Sequence, residues 1–92
     1  MRFAWDEAKR ATNVRKHGID FADAERAFYG YTVTIEDQRF DYTERRFITF
    51  GLLDGRVVAI AHTESARAIR LISIRRATRN ETQSYYASIP AS

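Results

Sequence analysis

Hydrophobic and polar positions follow two different patterns along this chain, and the change between them falls near residue 31. Before it, capping residues and apolar residues at helical spacing predict helices. After it, apolar and polar residues alternate, as in the segment YTVTIED, which is typical of strands. The whole pattern predicts the element order β-α-α-β-β-β-β-α.

The helical part begins after a short aromatic strand at Arg2–Trp5. Asp6 is a suitable N-cap for a first helix that runs to about His17, and Gly18 suits the left-handed position that ends it. A second helix is expected from Asp20 to Gly30. Its core-facing positions are Phe21, Ala24, Ala27 and Phe28.

The strand part is expected to consist of hairpins. Asp54-Gly55 is a strong two-residue turn signal between two of the predicted strands. Thr78 and Glu81 have capping-box spacing and predict a last helix that ends near Pro90. The predicted strands cover Tyr31–Asp37, Arg46–Leu53, Arg56–Thr63 and Ala68–Arg75, with polar loops at 37–44 and 64–67.

These elements predict one α+β domain over residues 1–92, built on a largely antiparallel sheet. All three helices are expected on one face of that sheet. The other face would then stay partly open to a ligand or partner.

Composition excludes several functional classes. The chain has no Cys and two His, so disulfides and thiolate chemistry are excluded, and no metal or cofactor is expected. No apolar run approaches the ~20 residues of a membrane span. The N-terminus lacks the apolar core of a signal peptide, so a cytoplasmic protein is expected.

The charge distribution favours a polyanionic partner. The net charge is +3, and residues 44–92 hold eight Arg against four acidic residues. Arg offers a planar donor fork that matches phosphate geometry, whereas Lys acts as a point charge. Surface Arg is often merely solvated, so this bias alone is weak evidence for nucleic-acid binding.

The first candidate site lies on the first helix, where Lys9, Asn13, Lys16 and His17 share one face. His17 is suited to proton transfer near neutral pH, and Lys16 to phosphate binding. Trp5 would flank this face. The alternative is a solvated face whose cations stabilise the helix end.

The second candidate site lies where the last strand meets the last helix. Arg75 and Arg76 are adjacent on a strand and must point to opposite faces of the sheet. Tyr85 can stack on a base, or it can simply pack the last helix. Glu81 can pair with an arginine locally. His62, in mid-strand, is expected to be a packed residue rather than a catalytic one.

Taken together, landmarks in both halves resemble those of the BrnT family of bacterial toxins. The N-terminal landmarks are Phe3-x-Trp5-Asp6-x-x-Lys9-x-x-x-Asn13-x-x-Lys16-His17-Gly18-Ile19-x-Phe21-x-x-Ala24. The later ones are Glu44-x-Arg46, Gly51, Asp54-Gly55 and Ile72-Ser73-x-Arg75-x-Ala77-x-x-x-Glu81-x-x-x-Tyr85. Two departures are Ile74, where a small residue is expected and which would narrow the space beside Arg75, and Tyr29-Gly30, where an acidic residue is more usual.

The resemblance implies a RelE/ParE-like fold and a ribonuclease toxin of a type II toxin–antitoxin system. Such a toxin inhibits translation and is neutralised, as a hetero-oligomer, by a DNA-binding BrnA-like antitoxin. RNA is the implied substrate, and DNA contact is expected only through the antitoxin. Alternatives are a non-enzymatic protein-binding module and a gyrase-inhibiting toxin of the same fold.

With this resemblance, the residue patterns predict a metal-independent endoribonuclease with no cofactor. The expected catalytic residues are Lys16, His17, Arg67 and Arg75. The expected substrate-binding residues are Trp5, Lys9, Arg76, Arg79, Glu81 and Tyr85.

Overall fold

The computed structural model describes residues 2–39 and 43–91, and its element order confirms the predicted one. The part of the predicted loop at 40–42 lies outside the described residues. The elements are β1 (Arg2–Ala4), α1 (Glu7–His17), a 3-10 turn (Phe21–Asp23), α2 (Ala24–Tyr29), β2 (Val33–Glu36), β3 (Phe47–Leu53), β4 (Arg56–Glu64), β5 (Ala68–Arg76) and α3 (Arg79–Ser88).

The strands form one five-stranded sheet in the order β1-β5-β4-β3-β2. Only the β1–β5 pair is parallel, so the predicted antiparallel character is confirmed. The β3–β4 turn is the expected two-residue hairpin. Asp54 and Gly55 both have positive φ there, at 52° and 79°, as a primed hairpin turn requires.

The prediction that all three helices share one face of the sheet is wrong. On one face, α1, the 3-10 turn and α2 bury a core of Phe21, Ala24, Ala27, Leu53, Val58, Ile60, Ile69, Leu71 and Ile74. On the opposite face, α3 places Tyr85 in a smaller core with Phe50, Val57 and Ala59. The sequence of β4 explains this arrangement. Its four consecutive apolar residues at 57–60 point alternately to the two faces of the sheet, so both faces must be covered by helices.

A β-bulge in β5 decides which way its basic end points. Ala61 pairs with Ser73 and His62 with Leu71, so Ile72 is an extra residue in the ladder. Leu71 and Ile74 therefore both face the N-terminal helices, although they are three residues apart. Without the bulge, Arg75 would share the face of Leu71 and point into that core.

The departure at position 74 does not have the predicted effect. Ile74 is fully buried on the side of the N-terminal helices, while Arg75 faces α3. Its side chain therefore does not narrow the space beside Arg75. None of the helices in the described part of the chain is long and apolar enough to cross a membrane.

Candidate active site

Helix α1 is held at both ends by the residues that the sequence indicated. The Asp6 carboxylate accepts hydrogen bonds from the N–H groups of Ala8 and Lys9, at 2.8 and 3.1 Å. Gly18 has φ +70° and its N–H donates to the Val14 carbonyl, which ends the helix. These caps fix the length of α1 and so the positions of the side chains along its exposed face.

Asn13, expected on that exposed face, is instead buried between α1 and β5. Its Oδ1 accepts from the Ile74 N–H at 3.0 Å, and its Nδ2 donates to the Ile74 carbonyl at 2.9 Å. The Nδ2 also donates to the Ile19 carbonyl at 2.9 Å. Since β1 pairs with β5 only as far as Arg70, Asn13 satisfies the strand edge that β1 leaves open.

The structure brings Lys9, Lys16 and His17 together along one cleft between α1 and the bulged part of β5. The cleft has a volume of about 350 Å³, and Ile72 and Ser73 form its strand side. Lys9 and Lys16 are exposed, and His17 is half-buried. None of the described residues that line the cleft is acidic, so its cations are available to an anionic ligand.

Arg75 lies on the other face of the sheet and is not part of this cleft. Its two terminal nitrogens bind the two Glu81 carboxylate oxygens at 2.7 and 3.0 Å, a bidentate pair between β5 and α3. The hydrogen bond from Arg75 is the main reason that the pKa of Glu81 falls from 4.5 to about 2, against the opposing effect of burial. The same hydrogen bond raises the pKa of Arg75.

Glu81 also completes the predicted capping box. It accepts from the Thr78 N–H at 2.8 Å, while the Thr78 hydroxyl accepts from the Glu81 N–H at 3.2 Å. The local pairing of Glu81 is therefore confirmed, and its carboxylate anchors the start of α3 to the sheet.

Arg76 faces the opposite way from Arg75, as predicted for adjacent strand residues. It lines a second cleft of about 300 Å³, with Arg56, Gly18 and Ile19. This cleft lies at the end of α1, where Gly18 directly follows His17. Arg56 is the first residue of β4 and pairs with Leu53 at the end of β3, which places it beside this cleft. No pattern in the sequence singled it out as a site residue.

The remaining predicted basic residues lie apart from the α1 cleft. Arg67 is in the turn before β5, about 17 Å along the strand from Ile72 of the cleft, at ~3.3 Å per residue. Arg79 is exposed at the first residue of α3. Arg39, which the sequence reasoning missed, lies close enough to Arg75 to oppose its charge, and it forms a bidentate pair with Asp37.

Two of the expected substrate-contacting aromatic residues are packed into the fold. Tyr85 is 3% exposed, and its hydroxyl donates to the Tyr31 carbonyl at 2.7 Å. Burial raises the pKa of Tyr85. Trp5 packs edge-on against Phe21 with a ring separation of 6.2 Å.

The expectation that His62 is a packed residue is confirmed. Its ring is completely buried between Phe28 and Phe47, and its Nε2 is 2.7 Å from the Thr49 hydroxyl. Burial lowers the pKa of His62, although Glu64 opposes this from 3.7 Å. His62 is therefore a neutral core residue at pH 7.

Comparison with known proteins agrees with the resemblance found in the sequence. A family model described as the ribonuclease toxin BrnT of type II toxin–antitoxin systems matches residues 5–81. A search of individual curated proteins gives no match. The match to the family model spans α1, all of β2–β5 and the first turn of α3, including the residues that line both clefts. The chain therefore belongs to the BrnT family of ribonuclease toxins of type II toxin–antitoxin systems.

Proposed function

We propose that this protein is a metal-independent endoribonuclease and that its catalytic site is the cleft between α1 and β5. The observation that carries the proposal is the convergence of Lys9, Lys16 and His17 on that one cleft. Two fixed cations and a group able to transfer protons are what cleavage of a phosphodiester needs.

The chemistry uses the ribose 2′-hydroxyl of the substrate as the nucleophile. The 2′-hydroxyl gives up its proton to a base as its oxygen bonds to the adjacent phosphorus, the bond from phosphorus to the 5′-oxygen breaks, and the leaving oxygen takes up a proton, so that one proton is lost and one is gained. The products are a 2′,3′-cyclic phosphate and a 5′-hydroxyl. His17 serves in proton transfer, while Lys9 and Lys16 stabilise the charge that develops on the phosphoryl oxygens.

The proposed mechanism uses side-chain cations and not a metal ion. In residues 2–39 and 43–91, no three side chains of His, Asp or Glu are grouped so that they could hold a metal ion. The cations of the cleft supply positive charge where other nucleases place a metal.

Arg75 takes a structural role in this proposal. Its guanidinium is already bound at two points by Glu81, so a phosphate would have to displace a partly buried carboxylate. Neither Arg67 nor Arg79 lines the cleft, and Tyr85 and Glu81 hold α3 in place.

The family suggests the cellular setting of the activity. We propose that the fold is of the RelE/ParE type, that RNA cleavage inhibits translation in the cytoplasm, and that a BrnA-like DNA-binding antitoxin neutralises the toxin in a hetero-oligomer. An acidic or helical antitoxin segment would compete with RNA for the cations of the cleft.

The decisive experiment is cleavage of a single-stranded RNA by the purified protein in excess EDTA. We expect cleavage with cyclic-phosphate ends, and no cleavage where the scissile ribose is 2′-deoxy. Lys16→Ala and His17→Gln should each lower the rate by about 10²–10³-fold. Arg70→Ala, at an exposed arginine of β5 that does not line the cleft, should retain full activity.

The variant Arg75→Ala tests which face of the sheet carries the catalytic site. If a folded Arg75→Ala protein loses cleavage while Lys16→Ala and His17→Gln retain it, the catalytic surface is the α3 face and the proposal is wrong. If the wild type leaves RNA intact but inhibits DNA supercoiling, the gyrase-inhibiting alternative replaces it. If it does neither and only binds a partner, the protein-binding alternative is correct.

A further inference from the structure

We infer that the cleft formed by Arg56 and Arg76 is a second phosphate subsite, which binds the RNA backbone as it leaves the α1 cleft around Gly18. This inference rests on the proposed ribonuclease function and extends it. It assigns a binding role to Arg56 and a supporting electrostatic role to Arg26.

The two clefts are neighbours at the end of α1. His17 lines the catalytic cleft, and Gly18, the next residue, lines the second one. Gly18 has no side chain, and a Cβ at this position would meet no atom within 4 Å. The space beside Gly18 is therefore open, and no side chain of this residue obstructs a phosphodiester chain that passes from one cleft to the other.

Arg56 and Arg76 are free to bind an anion. Both are exposed, and neither guanidinium has an ion pair or a hydrogen bond with any residue in the described ranges. Arg75 contrasts with them, because both of its terminal nitrogens are engaged by Glu81. Two unpaired guanidinium groups on one cleft wall match the oxygen geometry of a phosphate.

The acidic residues of the second cleft have a partner of their own. Asp54 binds Arg26 at 2.7 Å, and Asp23 binds the other terminal nitrogen of Arg26 at 3.2 Å. The hydrogen bond to Asp54 is the main cause of the raised pKa of Arg26. Arg26 therefore holds both carboxylates but cancels only one of their two negative charges, so that Arg56 and Arg76 leave these five side chains with a net charge of +1.

A further opposing effect is the carboxyl end of α1, whose carbonyl groups carry partial negative charge. The last turn of α1 contains Arg15, Lys16 and His17, which offset that charge. A continuous basic path then runs from Lys9 through Lys16 to Arg76 and Arg56.

The test is binding of a fully 2′-O-methylated oligonucleotide of about ten nucleotides, which cannot be cleaved, over a range of salt concentrations. Arg56→Gln and Arg76→Gln should each weaken binding about 3- to 10-fold and reduce the salt slope by about 0.7. Cleavage of a dinucleotide, which is too short to reach the second cleft, should fall less in both variants than cleavage of the longer strand. Arg70→Gln is the matched control and should change nothing.

Arg26 provides an independent check, because it does not line the cleft. Arg26→Gln should weaken oligonucleotide binding by freeing two carboxylates beside Arg56 and Arg76. The double variant Arg26→Gln/Asp54→Asn should recover most of the affinity, which a purely structural role of Arg26 would not produce.

The outcomes separate this inference from the proposed function. An unchanged salt slope in both Arg56→Gln and Arg76→Gln, or an equal loss for the dinucleotide and the longer strand, would overturn the second subsite even if RNA is cleaved. If wild-type protein fails to cleave RNA but binds the oligonucleotide through these arginines, the ribonuclease proposal fails and the subsite stands.

Discussion

The side chain of Asn13 forms two hydrogen bonds with the backbone of Ile74: its Oδ1 accepts from the N–H at 3.0 Å, and its Nδ2 donates to the carbonyl at 2.9 Å. These bonds imitate the pairing of a neighbouring strand. They join α1 to β5 beyond the end of β1, and so they set the width of the cleft that holds Lys16 and His17.

Asn13→Ala should lower the free energy of unfolding by about 3 kcal/mol. The substitution leaves the N–H and carbonyl of Ile74 without their partner in a buried position, and each such group costs about 1–3 kcal/mol. Urea unfolding measures the effect. Asn13→Asp should be measured beside it, since this variant retains the acceptor for the Ile74 N–H but loses both Nδ2 hydrogen bonds. An Asn13→Ala protein as stable as wild type would contradict this role.

Because of the Arg75–Glu81 pair, the free energy of unfolding should decrease at acidic pH. The folded-state pKa of Glu81 is lowered from 4.5 to about 2, so its stabilisation is fully present above pH 4.5 and is lost as the pH falls through about 2. After allowance for partial solvent screening, the effect is about 1–2 kcal/mol.

Unfolding of wild type and Glu81→Gln between pH 6 and pH 2 measures this contribution. Glu81→Gln retains a side-chain acceptor for the Thr78 N–H, so it removes the charge while conserving the cap. The variant should be less stable than wild type at pH 6 and should converge with it near pH 2. Glu44→Gln, an exposed position, should follow the wild-type curve throughout.

His62 should contribute a separate loss of stability as the pH falls, in a pH range above that of Glu81. Burial lowers its pKa from 6.5 in the folded state, so the unfolded chain binds more protons as the pH falls below 6.5. Between pH 7.5 and 5.5 this linkage removes at most about 1.4 kcal/mol.

His62→Phe is the matching variant, because a ring of similar size fits between Phe28 and Phe47. The Thr49 hydroxyl keeps its 2.7 Å contact with Thr34 in this variant. Chemical denaturation at the two pH values should show a smaller difference for His62→Phe than for wild type. An equal difference would mean that His62 is not the source of the acid sensitivity.

Gly51 should not tolerate even a methyl group. A Cβ at this position would lie 2.7 Å from the Ala27 carbonyl oxygen, which is backbone and cannot move aside cheaply. Gly51→Ala should therefore push α2 away from β3 and cost about 1–3 kcal/mol.

Gly30→Ala is the control for Gly51, since a Cβ at Gly30 meets no atom within 4 Å. Thermal unfolding should show a change within about 0.5 kcal/mol for this control. Equal effects of the two substitutions would contradict the close approach of α2 to the sheet.

Much of the local structure was predictable because its signals act between neighbouring residues. Asp6 and Gly18 satisfy the ends of α1 with groups a few residues away, and Asp54-Gly55 makes its turn by backbone preference alone. The opposite directions of Arg75 and Arg76 follow from strand geometry. The capping-box spacing of Thr78 and Glu81 likewise predicted the start of α3.

The sequence by itself thus determined the order of the elements, the hairpin, the helix ends and, through its landmarks, the BrnT family. Tertiary structure alone decided that α3 covers the second face, that Asn13 closes the open edge of β5, and that Lys16 and His17 share a cleft from which Arg75 is excluded. The physical reason is that these contacts join distant segments. Which residues make these contacts depends on the bulge at Ile72 and on the residue at which β1 ends. Neither feature has a local signal in the sequence.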